Sequence, residues 1–296
     1  MILSESRYAG LNELRARNPE LIAVKAGERQ RSSLLGEDGN LMIIAADHPA
    51  RRILRVGTNE MAMADRYQLL DRVVTALRRP GVDGLLATPD IVEDLLLLDE
   101  LDNKVVFGSM NRGGLTGSAW ELDDRFSAYS PAAIEQGRLD GGKMLLRLDY
   151  SDTGTINTLQ ACAEAISDLA ARRLLALVEP LPVSRDPQGR LHLDTDAEAL
   201  IGAIAVASAL GATSAYTWLK VPAPEDPERV FGATSLPSLM LGGDPGDQAS
   251  VVVEQWRRAM LVPNVRGLVV GRSLLYPQDG DVTRWVDQAA EIVHAP

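Results

Sequence analysis

Eight short apolar runs alternate with helical patterns along this chain, and no other feature restricts its fold as strongly. The runs cover residues 41–46, 82–87, 104–108, 143–149, 174–179, 214–222, 236–241 and 265–270. Each has strand length, and 41–46 is apolar without interruption, as expected of a strand covered on both faces. Helical spacing of apolar residues fills the gaps at 58–79, 91–101, 131–139, 157–172, 195–210, 248–260 and 282–293, and Glu225-Asp226-Pro227-Glu228 opens one more. Alternation of this kind predicts a parallel sheet, and eight repeats predict a single closed (β/α)8 TIM barrel over residues 41–296. An open doubly wound sheet is the rival, but no G-x-G-x-x-G follows the first strand. Residues 1–40 are expected to form an N-terminal capping helix, from Ser4 to Asn18, and a polar loop packed on the barrel.

A parallel barrel gathers all its strand ends on one rim. Here those ends are polar: Asp47, Asp90, Asp149, Glu179 and Lys220. Alternation along a strand places 143, 145, 147 and 149 on one side, so Lys143, Arg147 and Asp149 are candidates to point inward. For Asp90 and Asp149 a structural ion pair is an equally good explanation. Asp47, Lys143, Glu179 and Lys220 together suggest chemistry. A second ammonium lowers the pKa of the first and frees an amine nucleophile, and a neighbouring carboxylate can shuttle protons. Pro222 and Pro224 close the strand that carries Lys220, and Pro180 and Pro182 are expected to stop the one that carries Glu179. The pairs Gly242-Gly243 and Gly271-Arg272 end the last two strands, where barrel backbones commonly approach a phosphate. The 109–130 loop is long enough to be functional.

Composition narrows the partners. A net charge of −11 argues against nucleic acid or an anionic membrane surface as a partner. Neither a signal peptide nor an apolar run of membrane-spanning length is visible. The single cysteine, Cys162, fits a reducing cytoplasm, and three histidines give little material for a zinc site.

The chain resembles class I, Schiff-base-forming aldolases of the barrel type, especially tagatose-1,6-bisphosphate aldolase and more distantly archaeal-type fructose-bisphosphate aldolase. Six stretches carry the likeness: Ala45-Ala46-Asp47-His48-Pro49-Ala50-Arg51-Arg52, Lys143-Met144-Leu145-Leu146-Arg147-Leu148-Asp149-Tyr150, Leu177-Val178-Glu179, Leu219-Lys220-Val221, Leu241-Gly242-Gly243 and Val270-Gly271-Arg272. It spans Leu41 to about Tyr276. The resemblance implies an imine on Lys220, a proton shuttle at Glu179, substrate positioning by Lys143 and Asp47, and phosphate binding by Gly243, Gly271 and Arg272. It implies no metal and no cofactor, a small phosphorylated sugar as substrate, and a homo-oligomer. Two departures point away from sugar bisphosphates. Glu179-Pro180-Leu181-Pro182 lacks the tyrosine of archaeal-type members, and Asn111-Arg112-Gly113-Gly114 matches neither branch. Arg51, Arg112 and Arg147 are candidates to meet a substrate carboxylate instead. A keto sugar acid such as 2-deoxy-5-keto-6-phosphogluconate, from inositol breakdown, is then the expected substrate. A phosphosugar isomerase or epimerase and a non-catalytic phosphosugar-binding barrel are the alternatives.

Overall fold

A computed structural model describes residues 2–110, 114–243 and 249–295. Among them, nine strands are β1 (Leu41–Ala45), β2 (Gly84–Ala87), β3 (Val105–Ser109), β4 (Gly141–Leu148), β5 (Leu175–Arg185), β6 (Leu191–Leu193), β7 (Thr217–Pro222), β8 (Ser238–Leu241) and β9 (Val265–Val270). All except β6 pair in parallel, in the order β4-β3-β2-β1-β9-β8-β7-β5, and β4 pairs with β5 to close the ring. The fold is a (β/α)8 barrel. Its helices are α1 (Glu5–Arg17), α2 (Leu21–Glu28), α3 (Arg66–Leu77), α4 (Pro89–Leu97), α5 (Pro131–Gln136), α6 (Gly154–Ala171), α7 (Ala197–Ser208), α8 (Pro227–Phe231), α9 (Ala249–Ala259), α10 (Arg272–Leu275) and α11 (Val282–His294). None of them is long and apolar enough to cross a membrane.

The core has two shells, as strand parity demands. Ile43, Leu86, Phe107, Leu177, Trp218, Leu239 and Val269 fill the barrel interior. Ile44, Leu85, Val106, Val178, Leu219, Met240 and Leu268 face the helices. Leu34 and Leu35 pack against the interior cluster from the connection between α2 and β1. Arg29, almost fully buried, donates to the carbonyl oxygens of Lys104 and Arg138 beside the strand starts. The amino end of the barrel is therefore plugged, and the carboxyl end is left for a cavity.

Two local expectations need correction. Residues 58–64 are turns, and α3 starts only after Asp65, whose side chain accepts from the Gln68 N–H. A backbone bridge between Val56 and Asn59 and an Asn59 side-chain bond to Met61 N hold those turns instead of a helix. Pro180 and Pro182 do not stop β5, which runs on to Arg185. Ala176 donates its N–H to Tyr216, on the β7 side, so the even-numbered residues of β5 address β7. That pairing ends at Val178, and the two prolines lack N–H groups only where no ladder bond exists. The prolonged strand folds back on itself through β6 as an antiparallel hairpin, inside what reads in sequence as a polar excursion. Two helices, α2 and α10, lie outside the expected elements.

The last helix is fastened by His294. Its Nδ1 lies 2.5 Å from Asp38 Oδ2, and its Nε2 lies 3.0 Å from the Gly81 carbonyl and 3.2 Å from Asp83 Oδ2. Burial opposes the imidazolium, but the two carboxylates outweigh it and raise the His294 pKa above 6.5. The stabilisation is thus fully present below the unfolded value and fades as pH rises through the raised one. Replacing His294 by Asn should cost roughly 1 kcal/mol near pH 6. The gap between variant and parent, measured by urea denaturation, should shrink toward pH 9. A gap independent of pH would remove the imidazolium from the account.

Candidate active site

The same parity that fills the barrel builds the layer above it. One step past the apolar interior, β1 leads to Asp47, β3 ends in Ser109, β4 supplies Lys143, β5 Glu179 and β7 Lys220, all five buried. They form one chain of contacts. Lys220 Nζ lies 2.6 Å from Glu179 Oε1, and Glu179 Oε2 lies 2.5 Å from Lys143 Nζ. Lys143 Nζ is also 3.1 Å from Asp47 Oδ2, which accepts from the Ser109 hydroxyl at 3.2 Å. The four charged residues singled out in the sequence are thus brought together. Ser109 and His48 were not singled out. The signal for Ser109 was its parity with Phe107, and for His48 its place beside Asp47.

The two lysines share a carboxylate yet are driven in opposite directions. Burial lowers the pKa of both. At Lys143 the carboxylates of Asp47 and Glu179 overcome it and hold the ammonium above its ordinary range. At Lys220 burial prevails over Glu179, with repulsion from Lys143 added, and the pKa falls below the ordinary value. Glu179 is pushed up by burial but pulled further down by Lys143 and Lys220, to about 2. Environments that separate two like groups in this way assign them different roles.

A cavity of about 280 Å³ opens above this layer. Asp47, Lys143, Glu179 and Lys220 line its floor, with Gly242, Gly243, Gly271 and Arg272 at the ends of β8 and β9. Gly243 has φ +66°, a conformation a side chain would strain. A Cβ on Gly271 would collide with the Ala45 carbonyl, so that position needs glycine for β1 and β9 to approach. Arg51 lines the cavity from the 3-10 turn Pro49–Arg51 after β1, and the wall is completed by apolar Ile53, Leu145, Leu181 and Leu193. Leu181 and Leu193 come from the β5–β6 hairpin.

Not every candidate meets this cavity. Arg147 is buried beside it, and its guanidinium grips both oxygens of Asp124 at 2.8 Å and reaches the carbonyl oxygens of Gly114 and Glu121. It pins the segment after β3 to β4. Asp149 turns to Ser151, accepting from its N–H and its hydroxyl. Asp90 pairs with Arg66 and Thr88 at the start of α4. Arg112 lies outside the described residues. Among the described residues, no group of three or more His, Cys, Asp or Glu side chains is placed to hold a metal ion.

The chain belongs to the Cgl0159-like family, whose profile matches residues 39–290. It is 47% identical to Cgl0159 from Corynebacterium glutamicum (Brevibacterium flavum), whose crystal structure superposes with a TM-score of 0.96 over 99% of this chain and 98% of that one. It is also similar to a Schiff-base-forming fructose-1,6-bisphosphate aldolase, at 20% identity and a TM-score of 0.65, covering 92% of this chain and 100% of the other. An archaeal fructose-1,6-bisphosphate aldolase, solved with its catalytic lysine bound to the carbinolamine intermediate, is 19% identical with a TM-score of 0.63, covering 92% and 99%. At such identities the likeness establishes a shared (β/α)8 barrel fold. No curated protein matches this chain.

Glu179→Gln tests the electrostatics directly. Glu179 has its pKa depressed to about 2, so it stabilises the fold fully above its unfolded value near 4.5 and loses that contribution as pH falls toward 2. The variant leaves Lys220 without its carboxylate and Lys143 with one. It should be about 3–5 kcal/mol less stable than the parent at pH 7 in urea denaturation. The difference should narrow as pH drops from 4.5 toward 2. Equal stabilities at pH 7 would contradict the network.

Proposed function

We propose that this protein is a class I aldolase that cleaves a phosphorylated keto sugar or keto sugar acid through an imine on Lys220. One observation carries the reading: a buried lysine with a depressed pKa, 2.6 Å from a carboxylate that a second lysine holds ionised, on the floor of a cavity. Such an amine is available uncharged below the usual lysine range, which imine formation requires. The Schiff-base chemistry of barrels with the same fold is consistent with it.

In the proposed reaction the Lys220 amine adds to the substrate ketone, water leaves, and the protonated imine becomes the electron sink. Glu179 takes the proton of the hydroxyl on the far side of the scissile bond. The C–C bond breaks, an aldehyde departs, and its electrons form an enamine on Lys220. Protonation of the enamine carbon and hydrolysis then release the ketone and restore the amine. Lys143, kept cationic by two carboxylates, holds Glu179 ionised and raises the cost of protonating Lys220. No step requires a metal. Gly242, Gly243, Gly271 and Arg272 are proposed to hold the phosphate, and Arg51 the opposite end of the substrate. A carboxylate there favours 2-deoxy-5-keto-6-phosphogluconate, which would yield dihydroxyacetone phosphate and malonate semialdehyde.

Borohydride reduction in the presence of dihydroxyacetone phosphate should leave a stable adduct, located on Lys220 by peptide mass spectrometry. Lys220→Ala should abolish both adduct and cleavage, and Glu179→Gln should slow cleavage by about 10²–10⁴-fold. Cleavage surviving in Lys220→Ala would defeat the imine mechanism, and an adduct on Lys143 would transfer the role.

A further inference from the structure

Leu145, Leu181 and Leu193 line the cavity, yet among the described residues neither apolar core includes any of them. Strand register fixes where two of them stand. Leu145 is the registered partner of Glu179 across the β4–β5 ladder, one strand spacing of about 4.8 Å away. Leu181 follows Glu179 by two residues, so it faces the same side roughly 7 Å further up the strand. Leu193 joins the wall from β6, opposite Val183, and keeps 40% of its surface exposed. Above Lys143 and Glu179, the side chains that β4, β5 and β6 give to the cavity are all leucines.

This wall has a fixed place relative to the proposed reaction. Around the ring, β4 stands four strands from β9 in either direction, so the leucines and the proposed phosphate cradle lie on opposite sides. Lys220, on β7, lies between them, with β8 on one side and β5 on the other. A ketone bound to Lys220 with its phosphate over β8 and β9 therefore directs its scissile bond toward β5. Glu179 takes the proton of the hydroxyl that becomes the aldehyde oxygen, so the aldehyde carbon is held beside Glu179. The next carbon outward then meets Leu181 above and Leu145 alongside. Those side chains offer neither donor nor acceptor. A methylene placed there exchanges water for apolar contact, whereas a hydroxyl loses its water partners and gains none.

We infer that Leu145 and Leu181 select the aldehyde half of the substrate, accepting an unhydroxylated carbon next to the aldehyde carbon and rejecting a hydroxylated one. The inference rests on the aldolase reading and names, within it, the class of aldehyde. Sugar bisphosphates carry a hydroxyl at that carbon and are disfavoured, and a keto sugar acid that is deoxy there is accepted.

The test runs the reaction in the direction of bond formation. Dihydroxyacetone phosphate is condensed with propanal or with 2-hydroxypropanal, which differ by the one hydroxyl, on the parent, Leu181→Asn and Leu145→Asn. The parent should favour propanal in kcat/KM by about 10–100-fold. Each variant puts a donor and an acceptor on the wall and should narrow that ratio by about ten-fold or more. Borohydride trapping with dihydroxyacetone phosphate alone shows whether each variant still forms the imine, and a ratio of two aldehydes does not depend on the fraction of protein folded. Equal rates with both aldehydes in the parent, no condensation with propanal, or a ratio unchanged in both variants would overturn the inference. A trapped imine in the same parent would leave the aldolase reading standing. A parent that traps no dihydroxyacetone phosphate would remove that reading and the inference with it.

Discussion

Four charged side chains are buried in one layer of this barrel, and everything around them answers to that cost. Removing an ammonium or a carboxylate from water is expensive, and pairing returns the cost only when every partner is in place. Here Lys220, Glu179, Lys143 and Asp47 alternate in sign along a single chain of contacts. Each is delivered by a different strand. The layer therefore forms only if β1, β4, β5 and β7 hold register together, which a closed barrel ensures. A hydrophobic layer in its place would serve stability as well or better. What the charged layer does instead is set the two lysines apart.

Packed side chains surround that layer. Below it the apolar interior leads down to Leu34 and Leu35. Beside it the Arg147–Asp124 pair fixes the segment that follows β3. Above it the β5–β6 hairpin contributes Leu181 and Leu193, which with Ile53 and Leu145 make much of the cavity wall apolar. The low-dielectric walls strengthen the pairings beneath and sharpen the difference between Lys143 and Lys220. The charges of the cavity are local: the chain as a whole carries −11, while the rim at the ends of β1 and β9 presents Arg51 and Arg272.

Much of this was legible in the sequence because strands obey a period of two. Once 41–46 and its counterparts are read as strands, parity with Ile43, Leu177 and Trp218 directs Asp47, Glu179 and Lys220 inward. Lys143 follows from its place on β4. Parity also placed Arg147 inward, but β4 outruns its neighbour β3 in that direction, and past the rim a side chain meets loops rather than the cavity. Reading Pro180 and Pro182 as a stop failed because a proline's cost depends on whether its N–H had a partner, which no sequence states. The long helix drawn from Thr58 failed for a related reason. Apolar spacing was present, but Asn59 and Asp65 use their side chains on the backbone and favour turns and a late cap. Ser109 and His48 escaped because a serine closing a strand and a histidine before a proline carry no distinctive spacing.

The division between the two lysines is the step on which the proposed chemistry depends, and it follows from burial and from where the carboxylates stand. Glu179 gives one oxygen to each ammonium, so it cannot by itself favour either. Asp47 breaks the symmetry. It stands 3.1 Å from Lys143, and Ser109 holds it there. Lys143 thereby gains a second anion and stays charged. At Lys220 burial prevails over a shared Glu179, with Lys143 adding repulsion, and it is the lysine whose proton is more easily lost. Burial lowers the Lys220 pKa, and the aspartate at the end of another strand is spent on the other lysine.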